Sequence, residues 1–133
     1  MSGFSDYLEQ ALINHILRAT AYSNPSSIYV ALFTGDPGDA NDTSKELTDS
    51  GYARQNVTGH FNAPHATGGY TSNDAVITFP AIVDAQVVIS DIGIYDALTI
   101  GNLLFSQPLN SPKTLEVNDV LSFGIGALTI TLA

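Results

Sequence analysis

Thirteen acids, three histidines and no cysteine are the residues from which any chemistry would have to be built. The densest group is Asp36, Asp39 and Asp42, in a Gly- and Pro-containing stretch with Asn41 and Glu46 nearby. Hard cations such as Ca²⁺ take six to eight oxygen ligands, and a loop of this kind supplies several. The spacing is not that of an EF-hand, and Asp36 before Pro37 suits the start of an ordinary solvated turn. These three aspartates are weak metal candidates. His60 and His65 stand five residues apart with no carboxylate at zinc-ligand spacing. His15 falls beside an apolar helical stripe. All three histidines read as packing or surface residues.

Catalytic patterns are no stronger. There is no G-x-S-x-G elbow, and Ser90-Asp91 lies inside a strand-like run rather than on a nucleophile turn. Gly124-Ile-Gly126-Ala lacks the strand–turn–helix setting of a phosphate-binding fingerprint. Its two glycines read instead as positions that leave one sheet face bare. Asp91 and Glu116 are conceivable facing carboxylates for glycoside hydrolysis, but nothing specific supports the pair. Asn41-Asp-Thr and Asn56-Val-Thr match the glycosylation sequon, which matters only on secretion. The chain is read as a non-enzyme with no cofactor.

The elements that would position these residues are one helix and a series of strands. Ser5 is a suitable N-cap, with Asp6 and Glu9 in the first turn, where the helix dipole favours anions. Leu8, Leu12 and Ile16 recur at helical spacing, and Ile13 and Leu17 widen the stripe. These five residues are the expected core or interface face of the helix. Pro25 disfavours helix in Asn24, so the expected span is about 5–22. After Pro25 everything reads as β. Ser27 to Thr34 is apolar on both faces and requires cover on both, with the helix the natural cover for one. A turn-rich loop follows from Gly35 to Gly51, and a second polar, Gly-rich stretch runs from His60 to Asn73. Strand-like runs lie at 52–59, 75–79, 86–96, 103–106, 114–117, 120–123 and 128–132. Ser90-Asp91 interrupts the longest of them, as a bulge or as a passage between two faces. With no second helix for parallel crossovers, the expected fold is a single mainly β domain spanning 1–133. It is an antiparallel β-sandwich over about 27–133 carrying one N-terminal helix, and a jelly-roll strand order is compatible with it.

Composition limits the partners. The 133 residues include only four cations, Arg18, Lys45, Arg54 and Lys113, and the formal charge is −9. Such a chain cannot neutralise a row of phosphates, so neither nucleic acid nor an anionic membrane is an expected partner. Charged residues make up 13% of the chain, about half the usual share. A surface so poor in ions is expected to be covered, most simply by other copies of the chain. Met1 to Asp6 lacks the basic and apolar regions of a signal peptide, and synthesis in the cytoplasm is expected.

Several phrases then stand out together: Tyr29-Val-Ala-Leu-Phe-Thr-Gly-Asp-Pro37, Gly51-Tyr-Ala-Arg54, Ser72-Asn-Asp-Ala-Val-Ile-Thr-Phe-Pro80 and Ile92-Gly-Ile-Tyr-Asp-Ala97. With Gly101-Asn-Leu-Leu-Phe105 and Gly126-Ala-Leu-Thr-Ile130, they resemble a family of small structural proteins of tailed bacteriophages over almost the whole chain. The resemblance implies a virion component, either a capsid cement (decoration) protein or a tail-associated fibre or adaptor protein. Low charge, compactness and the lack of a fibrous repeat favour the first. That reading expects a homotrimer on the outer capsid surface, with the major capsid protein of the same virion as its partner. A carbohydrate-binding module is a third reading, for which Tyr22 and Tyr70 are the available stacking aromatics.

Overall fold

The computed structural model describes residues 3–132. Strand β1 (Gly3–Phe4) precedes helix α1 (Asp6–Leu17), followed by β2 (Tyr29–Phe33), β3 (Gln55–Asn56), β4 (Tyr70–Ser72) and β5 (Ile77–Thr78). The chain continues through β6 (Val87–Tyr95), β7 (Leu103–Leu115), β8 (Ser122–Phe123) and β9 (Thr129–Thr131). A five-stranded sheet has the order β1-β7-β6-β2-β3, and two short pairs, β4-β9 and β5-β8, complete the framework. Every pairing is antiparallel. The protein is mainly β with a single N-terminal helix, as its patterning requires.

The large core gathers Val30 and Leu32 of β2, Ile92 and Ile94 of β6, and Leu104 of β7. Against them lie Ile77, Phe79, Phe123 and Ile130 from the short pairs. The alternate residues Ala31, Phe33, Tyr95 and Leu103 form a second cluster on the other face of the main sheet. Side chains in a strand alternate between faces, so the two apolar faces of Tyr29–Phe33 supply one cluster each. Gly93 faces this second cluster, where an added Cβ would sit 2.8 Å from the Phe33 ring and 2.9 Å from Leu103. The aromatic therefore packs directly on the backbone.

The helix does not cover that second face. It packs along β7 and β1, and only Leu8 is fully buried. The cover comes instead from the 35–51 loop and from Arg54, which meet Tyr95 through Asn41 and the guanidinium. The physical reason lies in the cap. Ser5 donates its hydroxyl to the Leu103 carbonyl, its N–H bonds the Leu104 carbonyl at 2.9 Å, and the Asp6 N–H bonds the Asp39 carbonyl at 3.0 Å. These bonds fix the helix start beside β7, at the β1 edge of the sheet.

Other boundaries shift for local reasons. The helix ends at Leu17, with Ala19 at φ 54°, short of the end near 22 that Pro25 suggests. The expected strands at 103–106 and 114–117 are parts of one, β7, running along β6 with a register break opposite Ile89 and Asp91. Four residues of β7, 109–112, stand there against Ser90 alone, and Pro112 among them and Pro108 beside them carry no N–H for a ladder bond. β4 forms inside the stretch read as loop, and β1 forms before the helix. Gly124 and Gly126 are not in a strand. They lie in the β8–β9 turn, closed by the Ala127 N–H on the Gly124 carbonyl at 2.9 Å, with Gly126 at φ 78°.

Candidate functional site

The one buried cation among the described residues lies where chain segments converge. Arg54 grips Glu46 with both arms of its fork, Nε to Oε2 and a terminal nitrogen to Oε1, each at 2.8 Å. Its other terminal nitrogen donates to the carbonyls of Ala97 at 2.9 Å and Ile100 at 2.7 Å. The guanidinium carbon sits 3.6 Å from the centre of the Tyr95 ring. Tyr52 completes the group: its hydroxyl donates to Glu46 at 2.7 Å and accepts from the Leu32 N–H at 3.1 Å. Burial, then the bond to Glu46 and its charge, push the Tyr52 phenol well above the ordinary tyrosine value. Burial and the charge of Glu46 push Tyr95 up to about 12. Burial alone would lower Arg54, but its bonds to Glu46 and the pair's attraction outweigh it, and its pKa is raised. Both phenols therefore stay neutral and Arg54 stays charged at physiological pH. The group is a clamp that ties the 35–51 loop, β2 and the β6–β7 hairpin together, with its polar atoms turned on one another.

A second polar pin is Asn73, fully buried. Its amide donates to the carbonyls of Ala75 at 2.8 Å and Gly124 at 2.9 Å, while its oxygen accepts from the Leu128 N–H at 2.9 Å. The pin joins the β4–β5 segment to the β8–β9 turn. Within the described residues no buried side-chain polar atom lacks a partner.

The acids of the 35–51 loop serve the backbone. Asp36 accepts from the Gly38 N–H at 2.8 Å, and Asp42 accepts from the Ser44 hydroxyl at 2.6 Å and N–H at 3.1 Å. The Ser44 bonds hold the Asp42 carboxyl below its ordinary value. Asp39 contributes its carbonyl to the helix start. Asp49 binds the N–H groups of Val83, Asp84 and Gly51, which lower its pKa, the Asp84 bond most. No group of three or more His, Asp or Glu side chains able to hold a metal comes together among the described residues. His15 accepts from the Tyr22 N–H at 3.1 Å, His60 lies 3.7 Å from Asp74, and His65 stacks on Tyr70 at 4.6 Å. That stacking takes one face of Tyr70, and Tyr22 packs partly against the core.

Asp91 is buried in β6 and bonded by the Ser90 hydroxyl at 2.6 Å. Glu116 follows Leu115, which pairs with Val87, four residues along the strand from Asp91. That is about 13 Å of strand, beyond the roughly 5–9.5 Å that glycosidase carboxylates span.

What remains is a surface. Ile13, Ile16 and Leu17 are 55%, 71% and 77% exposed and form a ridge on α1. With Phe4 and Leu12, both partly buried, they border a groove of about 500 Å³ in which Glu9 is the only charge. Of the five helix residues expected to pack together, the structure buries Leu8, half-buries Leu12 and leaves three outside. Next to the ridge is a hollow of about 300 Å³, floored by the buried Ile94 and Ile130 and walled by Phe61, Tyr70, Phe105 and Leu132. The two features meet at Phe4 and Phe105, whose rings are 5.4 Å apart.

The domain thus has closed polar clamps inside and a charge-poor apolar face outside. The model of the Podophage GP4 fiber I protein gp80 family matches residues 3–131, and the chain belongs to that family of tailed-phage structural proteins. No curated protein matches the chain.

Proposed function

We propose that this chain is a structural subunit of the phage tail fibre, associating with copies of itself through its apolar face. The observation that carries this reading is membership of a fibre family over residues 3–131. The same family description favours the tail over the capsid surface expected of a cement protein. Compactness and the lack of a repeat point towards the head, but a fibre also needs globular joints and caps, and this domain has the build of one. The neighbours in this reading are fibre subunits rather than the major capsid protein, and a trimer is the simplest assembly. The exposed apolar ridge supports a role that depends on contact, since monomeric proteins rarely leave patches of more than a few hundred Å² uncovered. Gold-labelled antibody against the chain, applied to intact virions, is expected to decorate the tail. Label confined to the head would return the protein to the cement role.

A further inference from the structure

We infer that the ridge of one copy, Ile16 and Leu17, seats in the hollow of the next copy between Tyr70 and Leu132. The inference rests on the self-association proposed above and supplies its contact. Three observations point to a second copy as the occupant. The chain carries both halves of the contact, a convex apolar ridge and a concave apolar hollow, joined at the Phe4–Phe105 rings. Both halves stand open to a neighbour: Ile16 and Leu17 on the ridge and Tyr70 and Leu132 at the hollow are all exposed. Charge completes the case. Copies of formal charge −9 repel one another, so they meet best where charge is absent, and Glu9 is the only charged residue lining either feature. A basic partner, by contrast, would be drawn to the acids elsewhere on the molecule.

Ridge-in-hollow contacts close either reciprocally as a pair or cyclically as a ring. A flat ridge-on-ridge contact is the alternative, and it would bring two Glu9 carboxylates together. The absence of native cysteine makes the test clean. Leu17→Cys and Leu132→Cys, each on the full chain, are mixed, one of them isotopically labelled, and treated with a short bis-maleimide. The inference expects cross-linked pairs that contain one copy of each variant, with little product from either variant alone. Light scattering should give a closed oligomer for the parent and the monomer mass for Ile16→Asp, whose circular dichroism spectrum should match the parent's because the side chain is exposed. Cross-linked pairs from Leu17→Cys alone, or a parent that stays monomeric at high concentration, would overturn it. A monomer on a labelled tail would sink this contact and leave the fibre reading intact. Cross-linked pairs with label on the head would do the reverse.

Discussion

Replacing Arg54 by alanine is expected to lower stability by about 3–5 kcal/mol, because it strands a buried carboxylate. For a domain of this size that is a fall in melting temperature of roughly 10–15 °C. The Arg54 and Glu46 side chains are 4% and 15% exposed, so water screens the pair little. The loss is not confined to the ion pair. The carbonyls of Ala97 and Ile100 lose their donor, and Tyr95 loses the cation on its ring. Lysine should not rescue, since one ammonium cannot grip Glu46 with two arms and reach both carbonyls. Thermal unfolding followed by circular dichroism reads the effect. A decisive control is the double variant Arg54→Met with Glu46→Leu, which removes both charges and should recover much of the loss. A single variant as stable as the parent would show that the clamp holds nothing.

The second large effect is expected at Asn73. Asn73→Asp keeps the shape but turns two donated hydrogen bonds into a carboxylate oxygen facing two carbonyls. Burying such a group without donors costs several kcal/mol. We expect a loss of at least about 3 kcal/mol at pH 7, which shrinks in mild acid as the new carboxyl is protonated and regains one donor. The sign follows from the environment: a carboxyl placed there has its folded pKa raised, so the penalty is present above that value and fades below it. Denaturant melts at pH 7 and pH 5 measure both parts. An Asn73→Asp variant equal to the parent at pH 7 would mean that the β8–β9 turn holds without the pin.

Both clamps are outside the reach of sequence reading, and for the same reason. Arg54 and Glu46 are eight residues apart, yet they meet only because the 35–51 loop folds back along β2, where Leu47 bonds Leu32. The one available signal is a lone arginine in Gly51-Tyr-Ala-Arg54, one of the phrases that carry the family resemblance. Asn73 gives even less, since its partners Gly124 and Leu128 lie more than fifty residues away. By contrast, the Ser5 cap and the two apolar faces of the strand after Pro25 follow from period and local chemistry, and they are legible; the interruption at Ser90-Asp91 is legible as a break, but the extra residues there belong to β7. The helix stripe is legible as a pattern but not as a contact. Apolar spacing states that Leu12, Ile13, Ile16 and Leu17 share a face, and it cannot state whether the chain's own sheet or a neighbour covers them. The placement of α1 on the β1–β7 edge decides that, and it depends on the bonds of Ser5 to Leu103 and Leu104.

The same placement links fold to function. A helix laid over the main sheet would have used its apolar stripe internally. Held at one edge, it offers most of that stripe to the outside, next to a hollow open between the main sheet and β4-β9. In the assembly proposed above, the acids keep free copies soluble and apart until they meet it.

A cryo-electron-microscopy map of the intact tail, fitted with this domain, is the most direct test of that account. The account predicts copies of the domain within the fibre, with protein density packed over Ile13, Ile16 and Leu17. Copies on the capsid shell, or a ridge facing open solvent in every copy, would contradict it.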